Sequence, residues 1–371
     1  MSKIENAAVI GSSWGDEGKA KIINYLAKDY KYICRFAGSS NAGHTLYFNG
    51  KKVVRHLLPS ADFTLNQHAF LASGMVINPD ELLKEVEESE EFFPGCSSKI
   101  IVDPDAFVIT KEHLEEDKQN VKDFGSTGKG VSVAYRDKIY RKGKKIKDLL
   151  ENNPSLLQLK RMGIKFKYNL ELYEEFKNNP ILFEGAQAIL LDLNAGTYPY
   201  VTSGECTPAG IFNSGFSYAM PTKIYGITKA YVTRVGHGPF PTKMHGEEAE
   251  KLRKEGVEFG ATTNRPRDVG WLDLPALKYA CIKGGINSLV LTKADILNSY
   301  KTIKVATSYK KPIFSGADFF DAEPIYEEIS GWEDAKQVNK IKHFIDLIEN
   351  YTGIKVEYLS TGPNTEDIIK L

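Results

Sequence analysis

The sequence predicts an α/β fold in which a large, mostly parallel, twisted sheet is flanked by helices. Three observations lead to this prediction. Short apolar runs alternate with helical stretches along the chain, polar loops repeatedly follow the apolar runs, and small hairpins lie only at the periphery of this pattern. Parallel strands joined through helices produce such alternation, and ligands bind at the carboxyl ends of their strands.

Strands are predicted where β-branched and aromatic residues form apolar runs, and helices where apolar residues recur every three to four positions. Asn49-Gly50 favours a type I′ turn between two strands, and Pro79 suits the start of a helix. The predicted strands are a run ending at Gly11, 31–36, the hairpin arms 46–48 and 52–55, 69–77, 100–102, 181–183, 224–235, 288–292 and 356–359. One predicted helix begins at Ile22, and the others cover 79–90, 149–180, 245–256, 274–283 and 335–350.

Composition limits the classes of function. The chain has 371 residues, of which 42% are hydrophobic and 26% are charged, as in ordinary globular proteins. Lys plus Arg and Asp plus Glu both number 48, so no excess charge points to nucleic acid or to a membrane surface. No run reaches membrane-spanning length, no signal peptide is recognisable, and the four cysteines lack metal-like spacing. We expect one cytoplasmic domain over 1–371 with reduced cysteines.

The loop between the first strand and the first helix carries the clearest functional signal. Its sequence, Gly11-Ser-Ser-Trp-Gly-Asp-Glu-Gly-Lys19, directs backbone N–H groups and a helix N-terminus toward one point, which favours a phosphate. It is similar to the P-loop of nucleoside triphosphatases, but Ser13 replaces the first glycine and Ala20 replaces the magnesium-binding Ser or Thr. Asp16 is therefore the candidate to bind a metal ion or take a proton. The alternative is a solvated surface turn.

Other loops after strands combine small residues with single charged groups. Thr292-Lys-Ala-Asp295 resembles the loop in which GTP-binding proteins use an Asp to accept hydrogen bonds from guanine. Arg141, Arg265 and Arg267 have the fork geometry that clamps phosphate or carboxylate. His44 lies in a glycine-containing turn and is the best histidine candidate for a general acid, whereas the other histidines show no zinc-like spacing.

Taken in order, these motifs and several others resemble the adenylosuccinate synthetase family over nearly the whole chain. The first two motifs are highly specific. The resemblance implies GTP-dependent joining of IMP and L-aspartate to give adenylosuccinate, GDP and phosphate, with Mg²⁺ as cofactor, in a homodimer. The matching stretches are Trp14-Gly-Asp-Glu-Gly-Lys19, Asn41-Ala-Gly-His-Thr45, 184–187, 196–202, 233–236, 238–242, 260–263, 270–273, 291–295, 323–326 and 360–363.

The resemblance also implies functions for individual residues. Asp16 would take the purine N1 proton and bind Mg²⁺ together with the Gly43 carbonyl. His44 would act as the general acid beside O6, and Lys19 and Gln187 complete the catalytic set.

By the same resemblance, Arg141 would reach the IMP phosphate of a neighbouring subunit. The resemblance also implies a set of residues for each of the three substrates. The residues implied for GTP are Gly15, Asp16, Glu17, Gly18, Lys19, Ala20, Lys21, Gly43, His44, Thr45, Arg267, Lys293, Ala294, Asp295, Ser360, Thr361 and Gly362. Those implied for IMP are Asp16, Lys19, Asn41, Ala42, Gly43, His44, Thr127, Arg141, Gln187, Thr202 and Arg265. Those implied for aspartate are Ala261, Thr262, Thr263, Asn264, Arg265 and Arg267.

Departures from the family pattern leave two alternatives open. Ser39, Ser40 and Glu205 differ from the usual residues around the purine nucleotide. One alternative is a phage-type relative that acts on dGMP, and the other is a catalytically silent nucleotide-binding protein. The retained Asp16 and Thr292-Lys-Ala-Asp295 favour an IMP enzyme over the first alternative, and the retained Asp16 and His44 favour a working enzyme over the second.

Overall fold

The fold is built on a ten-stranded, mostly parallel sheet. The computed structural model describes residues 5–48, 51–124, 127–260 and 266–371. The strands within these ranges are β1 (Ala7–Gly11), β2 (Tyr32–Arg35), β3 (His44–Phe48), β4 (Lys51–Arg55), β5 (His68–Leu71), β6 (Val76–Ile77), β7 (Ile100–Val102), β8 (Phe107–Val108), β9 (Lys165–Phe166), β10 (Ile181–Ala188), β11 (Lys223–Lys229), β12 (Tyr231–Arg234), β13 (Asp268–Asp273), β14 (Ser288–Thr292), β15 (Thr302–Tyr309), β16 (Pro324–Ser330), β17 (Val356–Ser360) and β18 (Ile368–Lys370).

Helices connect most of the parallel strands. They are α1 (Lys19–Ala27), α2 (Pro79–Phe92), α3 (Lys111–Phe124), α4 (Val131–Ile139), α5 (Ile146–Leu149), α6 (Pro154–Arg161), α7 (Tyr173–Asn178), α8 (Ala209–Asn213), α9 (Gly246–Glu255), α10 (Leu274–Gly284) and α11 (Val338–Thr352). Among the residues that the structure describes, no helix combines the length and apolarity needed to span a membrane.

The strand order of the large sheet is β18-β17-β14-β11-β1-β10-β2-β5-β7-β9. The pairs β10–β2, β2–β5, β5–β7, β7–β9, β11–β14 and β14–β17 are parallel, and β17–β18 is antiparallel. The sequential order jumps repeatedly along this sheet, because parallel neighbours need crossover connections. The predicted α/β fold with a mostly parallel sheet is therefore confirmed.

The chain forms two compact units. The first consists of Met1–Val9, Ile22–Ala186 and Thr202–Thr222. Phe70 and Phe183 pack edge-on against Phe216 in its core, with ring centroids 5.7 and 5.3 Å apart. The predicted peripheral hairpin is present as β3–β4, although its turn, Asn49-Gly50, lies outside the described residues.

The second unit consists of Ile10–Lys21, Gln187–Val201 and Lys223–Leu371. It contains a separate four-stranded sheet with the order β12-β13-β15-β16. Trp14 lies in a core cluster with Val232 and Phe319. Helix α10 begins where Asp273 Oδ1 accepts a hydrogen bond from Ala276 N at 3.0 Å, which is a favourable helix cap. The expectation of a single domain stays a prediction.

Three elements that were predicted to be continuous are divided into shorter ones, so these predictions were wrong. The strand predicted over 69–77 is divided into β5 and β6, because Ala72–Met75 forms a hydrogen-bonded turn. The strand predicted over 224–235 is β11 and β12, separated at Ala230. The helical stretch predicted over 149–180 contains α6, β9 and α7, because Gly163 adopts a left-handed φ of 99° just after α6. All four cysteines are buried free thiols.

Candidate active site

The phosphate-loop candidate connects β1 to α1. Helix α1 begins at Lys19, earlier than the predicted start at Ile22. Gly15 and Gly18 have φ values of 93° and 88°, which side chains rarely adopt. Gly11 is required by close approach, because a Cβ there would lie 2.4 Å from Glu17 Oε2. The loop is thus shaped by glycine at the turn positions that the sequence indicated.

Glu17 lies inside this loop as an internal anion. Its side chain is buried, and Oε1 accepts hydrogen bonds from Ser13 N at 3.1 Å and Gly15 N at 2.8 Å. Its Oε2 accepts from Lys19 Nζ at 2.9 Å. Convergent backbone N–H groups favour a negative charge, and here a carboxylate of the chain supplies it. The family resemblance assigned Glu17 to the GTP residues but did not indicate that its carboxylate binds the amides of its own loop.

Asp16 and Arg267, both predicted site residues, lie together in the second unit. Arg267 Nε is 2.9 Å from Asp16 Oδ2, but its N–H does not point at that oxygen, so the contact is an ion pair without a hydrogen bond. Burial acts to lower the pKa of Arg267, and the carboxylates of Asp16 and Glu258 outweigh it, so the pKa is raised. Arg267 therefore remains a cation beside the candidate base.

The predicted GTP loops are joined by side-chain contacts in the same unit. Thr292 Oγ1, at the end of β14, donates to Glu17 O at 2.8 Å and so links the guanine-loop candidate to the phosphate loop. Lys21 Nζ donates to Ser360 Oγ and to Gly362 O. Burial is the main cause that lowers the pKa of Lys21 to about 8. These contacts bring residues from three predicted GTP motifs together.

His44 in the first unit is held by a buried carboxylate. Its Nδ1 is hydrogen-bonded to Glu184 Oε1. Ser60 supplies two more hydrogen bonds to Glu184, from its N to Oε2 at 2.6 Å and from its Oγ to Oε1 at 3.0 Å. Burial alone raises the pKa of Glu184, but the charges of His44 and Arg35 and the Ser60 N–H hold that pKa below its ordinary value.

This pair fixes how His44 can act. An ionised Glu184 accepts a proton-bearing Nδ1, so the other ring nitrogen, Nε2, is the one that can exchange a proton with a substrate. The sequence showed Glu184 only as part of a motif and did not identify it as the partner of His44. The available signal was an acidic residue in a mostly apolar strand.

The remaining predicted residues are distributed as follows. Asn41 and Gly43 precede β3, and the Ala42 carbonyl accepts from His56 Nδ1 at 2.7 Å. Thr127 and Arg141 are exposed, whereas Gln187 and Thr202 are half-buried. The predicted aspartate residues Ala261, Thr262, Thr263, Asn264 and Arg265 lie outside the described residues.

Backbone strain marks the candidate site. Within the described ranges, five non-glycine residues have positive φ, namely Asp16, Arg141, Gln187, Val257 and Lys293. Four of these five belong to the residue sets predicted from sequence. Strained residues concentrate at functional sites, because the surrounding structure must hold them there. The fifth, Val257, was not predicted.

A parallel sheet that combines a lysine-containing phosphate loop with a candidate guanine loop defines a class of enzymes that use a nucleoside triphosphate. A model of the adenylosuccinate synthetase family matches residues 8–177 and 158–369. The adenylosuccinate synthetase of Petrotoga mobilis is 41% identical over 98% of this chain and 97% of its own length. That of Thermotoga maritima is 41% identical over 99% of this chain and 100% of its own length. The chain belongs to the adenylosuccinate synthetase family, a family of ligases.

Solved structures agree with this assignment. The fully ligated adenylosuccinate synthetase of Plasmodium falciparum is 30% identical, with a TM-score of 0.87 over 99% of this chain and 100% of that one. The cyanophage S-2L succinoaminodeoxyadenylate synthetase, bound to dGMP and dATP, is 21% identical with a TM-score of 0.75 over 99% of this chain and 96% of that one. At that identity the phage enzyme supports the shared fold alone.

Proposed function

We propose that this chain joins L-aspartate to C6 of IMP with cleavage of GTP, giving adenylosuccinate, GDP and phosphate. The observation that carries the proposal is the match, over nearly the full chain, to relatives named for this activity. The loop geometry supports it, because residues from three predicted GTP motifs are joined by hydrogen bonds.

The residues suit a two-step reaction. O6 of IMP is a poor nucleophile until N1 loses its proton, which Asp16 would take. O6 would then attack the γ-phosphorus, the bond to the β-phosphate oxygen would break, and GDP would leave. The amine of aspartate would next attack C6 and expel O6 with the phosphoryl group as inorganic phosphate, releasing a proton. Lys19 would neutralise phosphate charge, and His44 would donate a proton or hydrogen bond through Nε2.

The donor chemistry at Asp16 fits Mg²⁺ that arrives with the nucleotide. Within the described residues, no three His, Cys, Asp or Glu side chains converge into a metal site. Mg²⁺ in nucleotide enzymes commonly uses one or two protein oxygens, with phosphates and waters completing its shell. The Asp16 carboxylate and the Gly43 carbonyl would be those protein ligands. Bound there, the ion would neutralise charge on the phosphates.

The surface around Arg141 supports a homodimer. Arg141 has a left-handed φ of 61° and follows Ile139 and Tyr140, which are 71% and 63% exposed. Exposed apolar side chains beside a cation suit an interface whose partner site contains a phosphate. We infer that Arg141 would complete the IMP site of a second copy, and that the enzyme works in the cytoplasm, where its phosphorylated substrates are made.

The test is a substrate matrix. Purified protein with Mg²⁺ and aspartate is given GTP or ATP together with IMP, dIMP, GMP or dGMP, and products are identified by mass spectrometry. We expect a succinylated product from IMP with GTP. Product from dGMP but not IMP would overturn the proposal and direct attention to Ser39, Ser40 and Glu205. Nucleotide binding without any product would indicate a silent binding protein.

A further inference from the structure

Val257, the strained residue outside the predicted sites, precedes a buried glutamate. Its φ is 51° and its side chain is 70% exposed, so no packing of its own explains the left-handed backbone. A β-branched residue is a poor choice for this conformation, which persists only where neighbouring contacts impose it. Those contacts are Glu258 N to Arg253 O at 2.9 Å and Lys293 Nζ to Gly256 O at 2.6 Å. Together they turn Glu258 toward the interior of the second unit.

The two carboxylate oxygens of Glu258 have different partners. Oε1 accepts hydrogen bonds from Tyr231 Oη at 2.6 Å and from Lys229 Nζ at 3.1 Å, both of them buried. Oε2 accepts from Arg267 Nη1 at 2.6 Å. Burial alone raises the pKa of Glu258, but Lys229, Lys293 and Arg267 hold that pKa at about 2. Glu258 is thus an anion that joins the buried Lys229 and Tyr231 to Arg267, and its Oε1 also lies 3.8 Å from Nζ of Lys293.

Arg267 is held by Glu258 through both its backbone and its side chain. Arg267 N donates to Glu258 O at 3.0 Å, in addition to the Nη1 contact. The other edge of the guanidinium places Nε near Asp16 Oδ2 without a directed hydrogen bond. An arginine facing a single carboxylate favours a bidentate contact, with two parallel N–H···O bonds. With Nη1 bound to Glu258, Arg267 Nε makes no directed hydrogen bond to Asp16.

We propose that Glu258 is a positioning residue that limits Arg267 to an undirected ion pair with Asp16, so that Arg267 stays directed toward an anionic substrate group. The inference rests on the proposed function, in which Arg267 contacts aspartate and GTP. Loss of Glu258 would free Nη1 and let the guanidinium of Arg267 rotate into a bidentate pair with Asp16. The cation would then be withdrawn from its substrate, and the candidate base would be covered.

The test uses a set of three variants, because Glu258→Gln alone also leaves the buried Lys229 without its counter-charge. In Glu258→Gln we expect KM for aspartate to rise about 10- to 100-fold and kcat to fall because Asp16 is covered, while KM for IMP rises less than KM for aspartate. The thermal midpoint should fall as well. In Glu258→Gln/Lys229→Met both buried charges are gone, so the thermal midpoint should recover while KM for aspartate remains high. Lys229→Met alone keeps the contact with Arg267 and should bind aspartate normally.

Two results would overturn the inference. One is a double variant whose KM for aspartate returns to the wild-type value together with its thermal midpoint. The other is an equal rise of all three KM values in Glu258→Gln and Lys229→Met. A crystal structure of the double variant adds a readout that does not depend on turnover, since Arg267 should then form a bidentate contact with Asp16. Failure of the wild-type chain to make adenylosuccinate would refute the proposed function and leave this structural readout intact.

Discussion

Replacing Glu184 by Gln tests whether the buried carboxylate makes His44 an effective acid. Glu184→Gln keeps the shape of the side chain and can still accept from Ser60 N, but it removes the charge that faces His44 Nδ1. A hydrogen bond to a charged partner contributes roughly 1.5–3 kcal/mol. If that contribution is expressed in the transition state, kcat should fall about 10- to 150-fold. Because the substrates do not contact Glu184 in the proposed reaction, KM values should change by less than about twofold.

The assay is steady-state formation of adenylosuccinate, followed by its ultraviolet absorbance at saturating IMP, GTP and aspartate. Ser60→Ala is the matched control, because it removes the 3.0 Å hydroxyl bond to the same Glu184 oxygen while keeping the charge. Because the charge beside His44 Nδ1 remains and Ser60 N still donates to Glu184, this variant should lose at most about tenfold in kcat, or roughly 1.4 kcal/mol. A folded Glu184→Gln enzyme with wild-type kcat, or equal losses in both variants, would refute the reasoning.

Three further predictions concern the GTP residues and the phosphate loop. The pKa of Lys21 is about 8, so its ammonium group loses the proton above that pH in the free enzyme, and kcat/KM for GTP should fall on the alkaline side. Lys21→Arg should flatten that fall. A flat wild-type profile from about pH 7 to 9 would exclude a role of the Lys21 charge in GTP binding. Asp295→Asn should move the nucleotide preference from GTP to xanthosine triphosphate, because xanthine carries an acceptor where guanine carries its 2-amino donor; unchanged preference in competition assays would count against the guanine-loop assignment. Gly11→Ala should lower the free energy of unfolding by about 1–3 kcal/mol in urea titrations, because its Cβ would meet Glu17 and Ala188, whereas Gly95→Ala, in open space, should cost only its backbone strain.

Local features of the site could be predicted from the sequence. The glycine pattern located the phosphate loop, since positive φ at Gly15 and Gly18 is a local requirement that few other residues meet. The alternation of apolar runs and helices predicted the parallel sheet, because the spacing of apolar residues along the chain differs between strands and helices. The family motifs located Asp16 and His44. Where a prediction failed, a local break interrupted the run, as with the turn at Ala72–Met75 within 69–77 and the interruption at Ala230 within 224–235.

Only the tertiary structure determined which side chains support these residues. Glu184 contacts His44 across a separation of 140 residues, and Glu258 meets Lys229 across 29. Burial of a carboxylate next to a particular cation depends on which strands become neighbours, and the periodicity of one sequence does not encode that choice. The contacts of Glu17 are local in sequence, but they too form only when the loop folds back on its own amides. The sequence predicted the candidate reacting groups, and the folded structure decided which side chains hold each of them.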